Sequence, residues 1–103
     1  MNIITFLDAA TSTATSSAIR VNDKRIISGP IPVTISGITT ATVVFEGAIA
    51  TQAEVDAGTA NFELMAQGSF TEDAADGILT AFPFIRARIS DYTAGTITVR
   101  AYI

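Results

Sequence analysis

The residues able to do chemistry in this chain are few, and most of them are carboxylates and arginines. Its 103 residues include no His and no Cys. That removes the commonest general base, the thiol nucleophile and most transition-metal ligands together. A pair of carboxylates can still hydrolyse a glycosidic bond when the two flank a cleft. Glu46 and Glu63 fall in segments that read as strands, and Glu72, Asp73 and Asp76 share one polar run. Acids on alternating strand faces are ordinarily solvated, and a chain of this length has little room for a deep cleft. No catalytic residue is assigned. The run Glu72-Asp73-Ala74-Ala75-Asp76-Gly77 gathers oxygen donors of the kind that hold Ca²⁺, without the spacing of an EF-hand loop. It reads as a solvated turn, so no metal is assigned. Gly68, Gly77 and Gly95 belong to no phosphate-cradling motif, and no cofactor is expected.

Arg86, Arg88 and Arg100 are three of the six basic residues. Alternation puts Arg86 and Arg88 on one strand face, with Arg100 expected on the matching face of the adjacent strand. Two readings stay open. One is an exposed sheet face balanced by acids such as Glu46 and Glu63. The other is a salt-bridging surface towards a neighbouring subunit, where Arg serves better than Lys. These three arginines, with Ile3, Phe6 and Leu7 near the N-terminus, are the candidate protein-interface residues.

The elements that must position them are strands. Ile85, Ala87 and Ile89 alternate with Arg86, Arg88 and Ser90; after Asp91-Tyr92-Thr93-Ala94-Gly95, Ile97, Val99 and Ala101 alternate with Thr98, Arg100 and Tyr102. A period of two on both sides of a run of turn residues predicts a terminal β-hairpin over 82–103 with one buried face. Residues 3–7 read as a short strand, or as an arm reaching onto a neighbour. The Ser/Thr-rich stretch 9–17 suits an extended loop or edge segment more than a helix. Asn22-Asp23-Lys24-Arg25 reads as a turn into Ile26-Ile27, and Gly29-Pro30-Ile31-Pro32 as a break. Strands are predicted at 33–36 and 41–49, with Gly37 a bulge or turn between them, and again at 62–67. The run 68–77 reads as a loop. The single helical turn falls after Thr51, an N-cap with Glu54 as its capping-box partner, and Gly58 stops it.

The sum is seven or eight short strands with turn signals every 8–12 residues. That predicts an all-β fold, a small antiparallel β-sandwich of jelly-roll-like form, with a closed barrel as the alternative. One domain is expected, with 1–17 as an N-terminal strand and polar loop belonging to the sandwich of 18–103. Charged residues make up 16% of the chain and the net charge is −4, with a pI near 4.4. That balance argues against nucleic acid, which calls for a basic stripe. A charge-poor, Thr-rich surface fits a protein packed against others, though Thr is also a good strand former. The first residues lack the basic start and apolar run of a signal peptide. No stretch nears the ~20 apolar residues of a membrane span. The expectation is a protein made in a cytoplasm without membrane partners.

The order of motifs resembles a family of small bacteriophage virion proteins. It runs from Leu7-Asp8-Ala9-Ala10-Thr11 through Ala41-Thr42-Val43-Val44-Phe45-Glu46-Gly47 and Ala66-Gln67-Gly68-Ser69-Phe70-Thr71-Glu72-Asp73. Phe82-Pro83-Phe84 follows, and Ile85-Arg86-Ala87-Arg88-Ile89 leads by way of Gly95 to Thr96-Ile97-Thr98-Val99. Relatives often carry Trp just before the strand at 62–66, where this chain has Phe62. The resemblance implies a capsid decoration, or cement, protein on the virion surface. Its partners would be the major capsid protein and copies of itself, as a homotrimer. A tail, baseplate or head-fibre adaptor is the alternative in that class. Outside it stands a carbohydrate-binding module, for which two Tyr and no Trp are thin material.

The alternation itself is directly testable. A charge at Ile97 is expected to prevent soluble folding, because an unpaired charge cannot be buried cheaply. A soluble Ile97→Asp protein with an intact β spectrum by circular dichroism would put that face on the surface.

Overall fold

The computed structural model describes residues 3–20, 31–78 and 82–102. The turn expected from Asn22 to Arg25 into Ile26-Ile27 lies outside the described residues, as does the first half of the break expected at Gly29-Pro30-Ile31-Pro32; its second half is strand, Ile31 and Pro32 pairing with Ile78 and Gly77. What is described is an all-β fold of seven antiparallel strands and one short helix. These are β1 (Ile3–Ala10), β2 (Ala14–Thr15), β3 (Ile19–Arg20), β4 (Ile31–Ala48), α1 (Gln52–Ala57), β5 (Glu63–Phe70), β6 (Ala74–Ile78) and β7 (Phe84–Tyr102).

Two of these strands are not short, and they correct the sequence reading. The terminal segment is no hairpin. It is one 19-residue strand, β7, paired antiparallel with the 18-residue β4 along nearly its whole length. The expected turn residues are themselves paired: Asp91 with Thr42, Tyr92 with Ala41, Ala94 with Thr40 and Gly95 with Ile38. Straight, such a ribbon would run about 60 Å at ~3.3 Å per residue, yet the molecule is only 35 Å in its longest dimension. The ribbon must therefore bend.

The bend lies where the register of the two strands shifts repeatedly, between Ser36 and Val43. Gly37 and Gly95 both have positive φ, 84° and 133°. A β-carbon on Gly37 would overlap the carbonyl oxygen of Thr96, and one on Gly95 would stand 2.5 Å from the carbonyl oxygen of Gly37. The backbones of the two strands meet there with no room for side chains. Bulges and glycines are how strands pass from one layer of a sandwich to the other.

The folded ribbon carries a half-sheet on each side of the bend. In the first, β1 pairs with β7 at Ile97 to Tyr102, and β6 pairs with β4 at Ile31 to Ile35. In the second, β2 and β3 pair with β7 at Ile89, Arg88, Ile85 and Phe84, while β5 pairs with β4 at Val43 to Gly47. The sequence 3–20 thus runs along the edge of β7 as a broken strand. Ser16 reinforces it, its N–H donating to the Ala87 carbonyl and its hydroxyl accepting from the Ala87 N–H. The polar run 68–77 is also not simply a loop: 68–70 finish β5 and 74–77 form β6, both against β4.

The odd-numbered residues of both long strands face inward on both sides of the bend. Ile31, Val33, Ile35, Ile97, Val99 and Ala101 from one half join Val43, Phe45, Ile85, Ala87 and Ile89 from the other in one buried cluster. Phe6 of β1 meets Phe45 edge-on across it, ring centroids 6.0 Å apart, and Phe70 meets Phe45 likewise at 5.9 Å. Phe6 and Leu7 are consecutive and both buried because a bulge between Thr5 and Leu7 interrupts the alternation of β1. Helix α1 has the expected ends: Thr51 and Glu54 form the capping box and Gly58 closes it.

Gly37→Ala is expected to cost on the order of 3–5 kcal/mol, from left-handed backbone strain plus overlap with Thr96. Gly58→Ala shares the positive φ but has open space around it, so its cost is about 1–2 kcal/mol. Urea unfolding of both variants measures the difference. Equal losses would contradict a crowded corner.

Candidate functional site

Two surfaces bring the singled-out residues together, one on the outer face of each half-sheet. On the second half, the even-numbered residues of β4 and β7 face away from the core, and several are nevertheless buried. Val44, Ala48 and Phe84 lie outside the main cluster at 6%, 1% and 2% exposure. Glu46, also 6% exposed, is the one buried charged residue among the described residues. The register sets Glu46 directly opposite Arg86 and Val44 opposite Arg88, so both guanidinium groups reach one carboxylate. Arg86 donates from Nε to Oε1 at 2.8 Å. Arg88 donates from Nε and Nη2 to Oε2 at 3.1 and 3.0 Å. The ring of Phe62 covers Arg86, whose central carbon lies 4.0 Å from the ring centroid.

Burial by itself would raise the Glu46 carboxyl. The hydrogen bonds from Arg86 and then Arg88, with their charges, outweigh it and hold the carboxyl below its ordinary value of 4.5. A carboxylate held ionised in this way is a poor general acid. Glu63, its proposed catalytic partner, sits opposite Gly47 on β5 and so faces the other side of the sheet, where it accepts from Asn61 at 3.1 Å. The two carboxylates do not converge. The cluster is a structural clamp: it ties β4 to β7 on the face the core does not reach.

Arg100 is not part of it. The sequence reading set Arg100 on the strand next to Arg86 and Arg88, but all three share β7, and the bend carries Arg100 into the first half-sheet, opposite Thr34 of β4 and Thr5 of β1. There it lines a shallow groove of about 280 Å³ with Ile3, Pro32, Thr34 and Tyr102. Ile3 is 67% exposed and Tyr102 44%. Arg100 is exposed, and among the described residues it has no ion-pair partner. An apolar rim around one free guanidinium suits an apolar segment that also carries a carboxylate.

Of the six candidate interface residues, the structure therefore brings Ile3 and Arg100 together, commits Arg86 and Arg88 to Glu46, and buries Phe6 and Leu7 in the chain's own core. Pro32 and Thr34 were not singled out in sequence. Their signal is the alternation with Ile31, Val33 and Ile35, which leaves them outward. The acidic run is dispersed: Asp73 accepts the backbone N–H of Ile38 at 2.8 Å, steadying the bend, and Asp76 accepts from its neighbour Gly77 at 2.8 Å. Among the described residues no group of acids is gathered for a metal ion, and no helix is long and apolar enough to cross a membrane. Tyr92, partly buried against the core, donates its hydroxyl proton to the Gly95 carbonyl. No known protein family, curated protein or solved structure matches the chain.

The clamp makes stability depend on acid. Because the Glu46 carboxyl is lowered on folding, its contribution is present above the unfolded value near 4.5 and is lost as pH falls through the folded value. Glu46→Gln is expected to cost about 1–3 kcal/mol at pH 7, and urea unfolding should show that difference shrinking as pH drops below 4.5. A gap independent of pH would mean that the carboxylate charge contributes nothing.

Proposed function

We propose that this chain is a non-enzymatic structural subunit of a bacteriophage particle, a capsid decoration protein that binds the outer shell as an oligomer and stabilises it. The observation that carries the proposal is the groove of the first half-sheet. Ile3, Pro32 and Tyr102 present apolar surface around Arg100, which has no ion-pair partner among the described residues, on the outside of the sandwich. It is a surface for docking a protein segment, shallower than a cavity that swallows a small substrate. The other concentration of charge, at Glu46, is already engaged within the chain, two guanidinium groups sharing one carboxylate. The motif order supplies the kind of particle, and the sparse charge of the chain accords with it.

The mechanism is mechanical. Several modest contacts made at once hold an oligomer across subunit junctions, and their combined avidity resists outward pressure on the shell. The N-terminal strand contributes through Ile3. Phe6 and Leu7, four residues or fewer further on, belong to the core instead.

Mixing the protein with undecorated, expanded capsids and pelleting them measures the proposed activity. The expected result is saturable binding and a higher temperature of capsid disruption. Ile3→Asp should fold normally and bind at lower occupancy. Absence of wild-type binding to any shell, with binding to tail or baseplate structures instead, would replace the decoration role by the adaptor role.

A further inference from the structure

An open sheet edge offers its backbone N–H and C=O groups to any strand able to pair with them. The described edge strands differ in how far they invite this. β1 shifts register twice against β7, β5 shifts once against β4, and β2 and β3 are two residues each. Bulges and shortness both blunt an edge. β6 has no bulge: its five residues pair with β4 from Ile78 opposite Ile31 to Ala74 opposite Ile35 without a shift. Pro32 fixes which backbone groups of β6 stay free. It has no N–H, so the Pro32–Gly77 pair cannot be one that exchanges hydrogen bonds, and neither can Thr34–Ala75 two residues on. The N–H and C=O groups of Ala75 and Gly77 therefore point away from β4. Asp76, between them, lies opposite Val33, which is 2% exposed. Its carboxylate thus stands on the core side of the sheet, at the open margin where it remains exposed. Its Oδ1 accepts the outward N–H of Gly77 at 2.8 Å.

We infer that the β6 edge is a pairing surface for the β6 strand of a second copy of this chain, and that Asp76 holds it shut. Every copy carries the same edge, and two such edges meet antiparallel about a two-fold axis. The register that uses the free groups of both Ala75 and Gly77 sets Ala75 of each copy opposite Gly77 of the other. The two Asp76 residues then stand directly opposite each other. Side chains so placed have β-carbons about 5 Å apart, and like charges there oppose pairing. Each Asp76 also withholds the Gly77 N–H that the pairing would use. A charge turned inward on an edge strand is a known device against sheets joining edge to edge. Closing this edge requires nothing of the Arg100 groove or of shell binding.

Sedimentation equilibrium and amide exchange test it together. Asp76→Val puts a strand former in place of the charge and frees the Gly77 N–H. It is expected to self-associate about tenfold or more tightly than wild type. The Ala75 amide, open to solvent in wild type, should be protected from exchange by about tenfold or more in the associated variant. Adding Ala75→Pro removes that donor at a position where β4 does not use it, and should return association to the wild-type level. Asp76→Val associating no more than wild type overturns the inference, as does an Ala75 amide whose exchange is unchanged on association. So does association that survives Ala75→Pro in a double variant with the urea midpoint of Asp76→Val. Where Ala75→Pro lowers that midpoint, exchange at Ala75 decides alone.

Discussion

The fold depends on one crowded crossing, where Gly37 of β4 and Gly95 of β7 bring two backbones together without side chains between them. Everything else follows from the ribbon bending there. The bend turns one sheet into two facing layers, so inward residues of both arms enclose a single core. It also removes the need for a tight turn within the last third of the chain. Tyr92 and Asp73 support the corner from either side, one bonding the Gly95 carbonyl and the other the Ile38 N–H. Those bonds satisfy backbone groups that the shifted ladder leaves over.

A second constraint acts on the opposite face. A sandwich layer this small has an outer side that would ordinarily be solvated, yet Val44, Ala48 and Phe84 are buried there around Glu46. Removing a carboxylate from water is unfavourable unless it is paired and hydrogen-bonded. Arg86 and Arg88 meet that requirement from the neighbouring strand, and Phe62 closes over Arg86. Charge pairing here fixes the register of β4 against β7 as firmly as the core does. A slip of one residue would bury the arginines and expose Ile85, Ala87 and Ile89.

With those arginines committed, the surface available to partners is simpler than the composition suggests. The groove at Ile3 and Tyr102, which Arg100 also lines, and the side chains of Ile49 and Leu64 are the prominent apolar exposures among the described residues. A protein with so few charges gains little from long-range attraction and relies on close fit. That favours assembly through several small contacts acting together over one strong site.

Much of the local structure was legible in the sequence. Period-two alternation identified which residues of 33–35, 41–45, 85–89 and 97–101 share a face, and Thr51, Glu54 and Gly58 marked both ends of the helix. These are short-range properties, fixed by backbone geometry within a few residues. What only the tertiary structure decided was pairing. Asp91 to Gly95 carry the chemistry of a reversal, and a corner uses the same residues. The choice was made by β4, a distant strand of matching length with its own glycine at the crossing. Ala74 to Ile78 are weak strand formers by composition and became β6 because β4 offered an edge. The arginines show the same division. Alternation placed Arg86 and Arg88 on one strand face and Arg100 on the matching face of an adjacent strand; all three share β7, and the bend leaves two on Glu46 and carries Arg100 to the other half-sheet. The terminal segment is therefore strand throughout, and the shape of the molecule comes from where that strand bends.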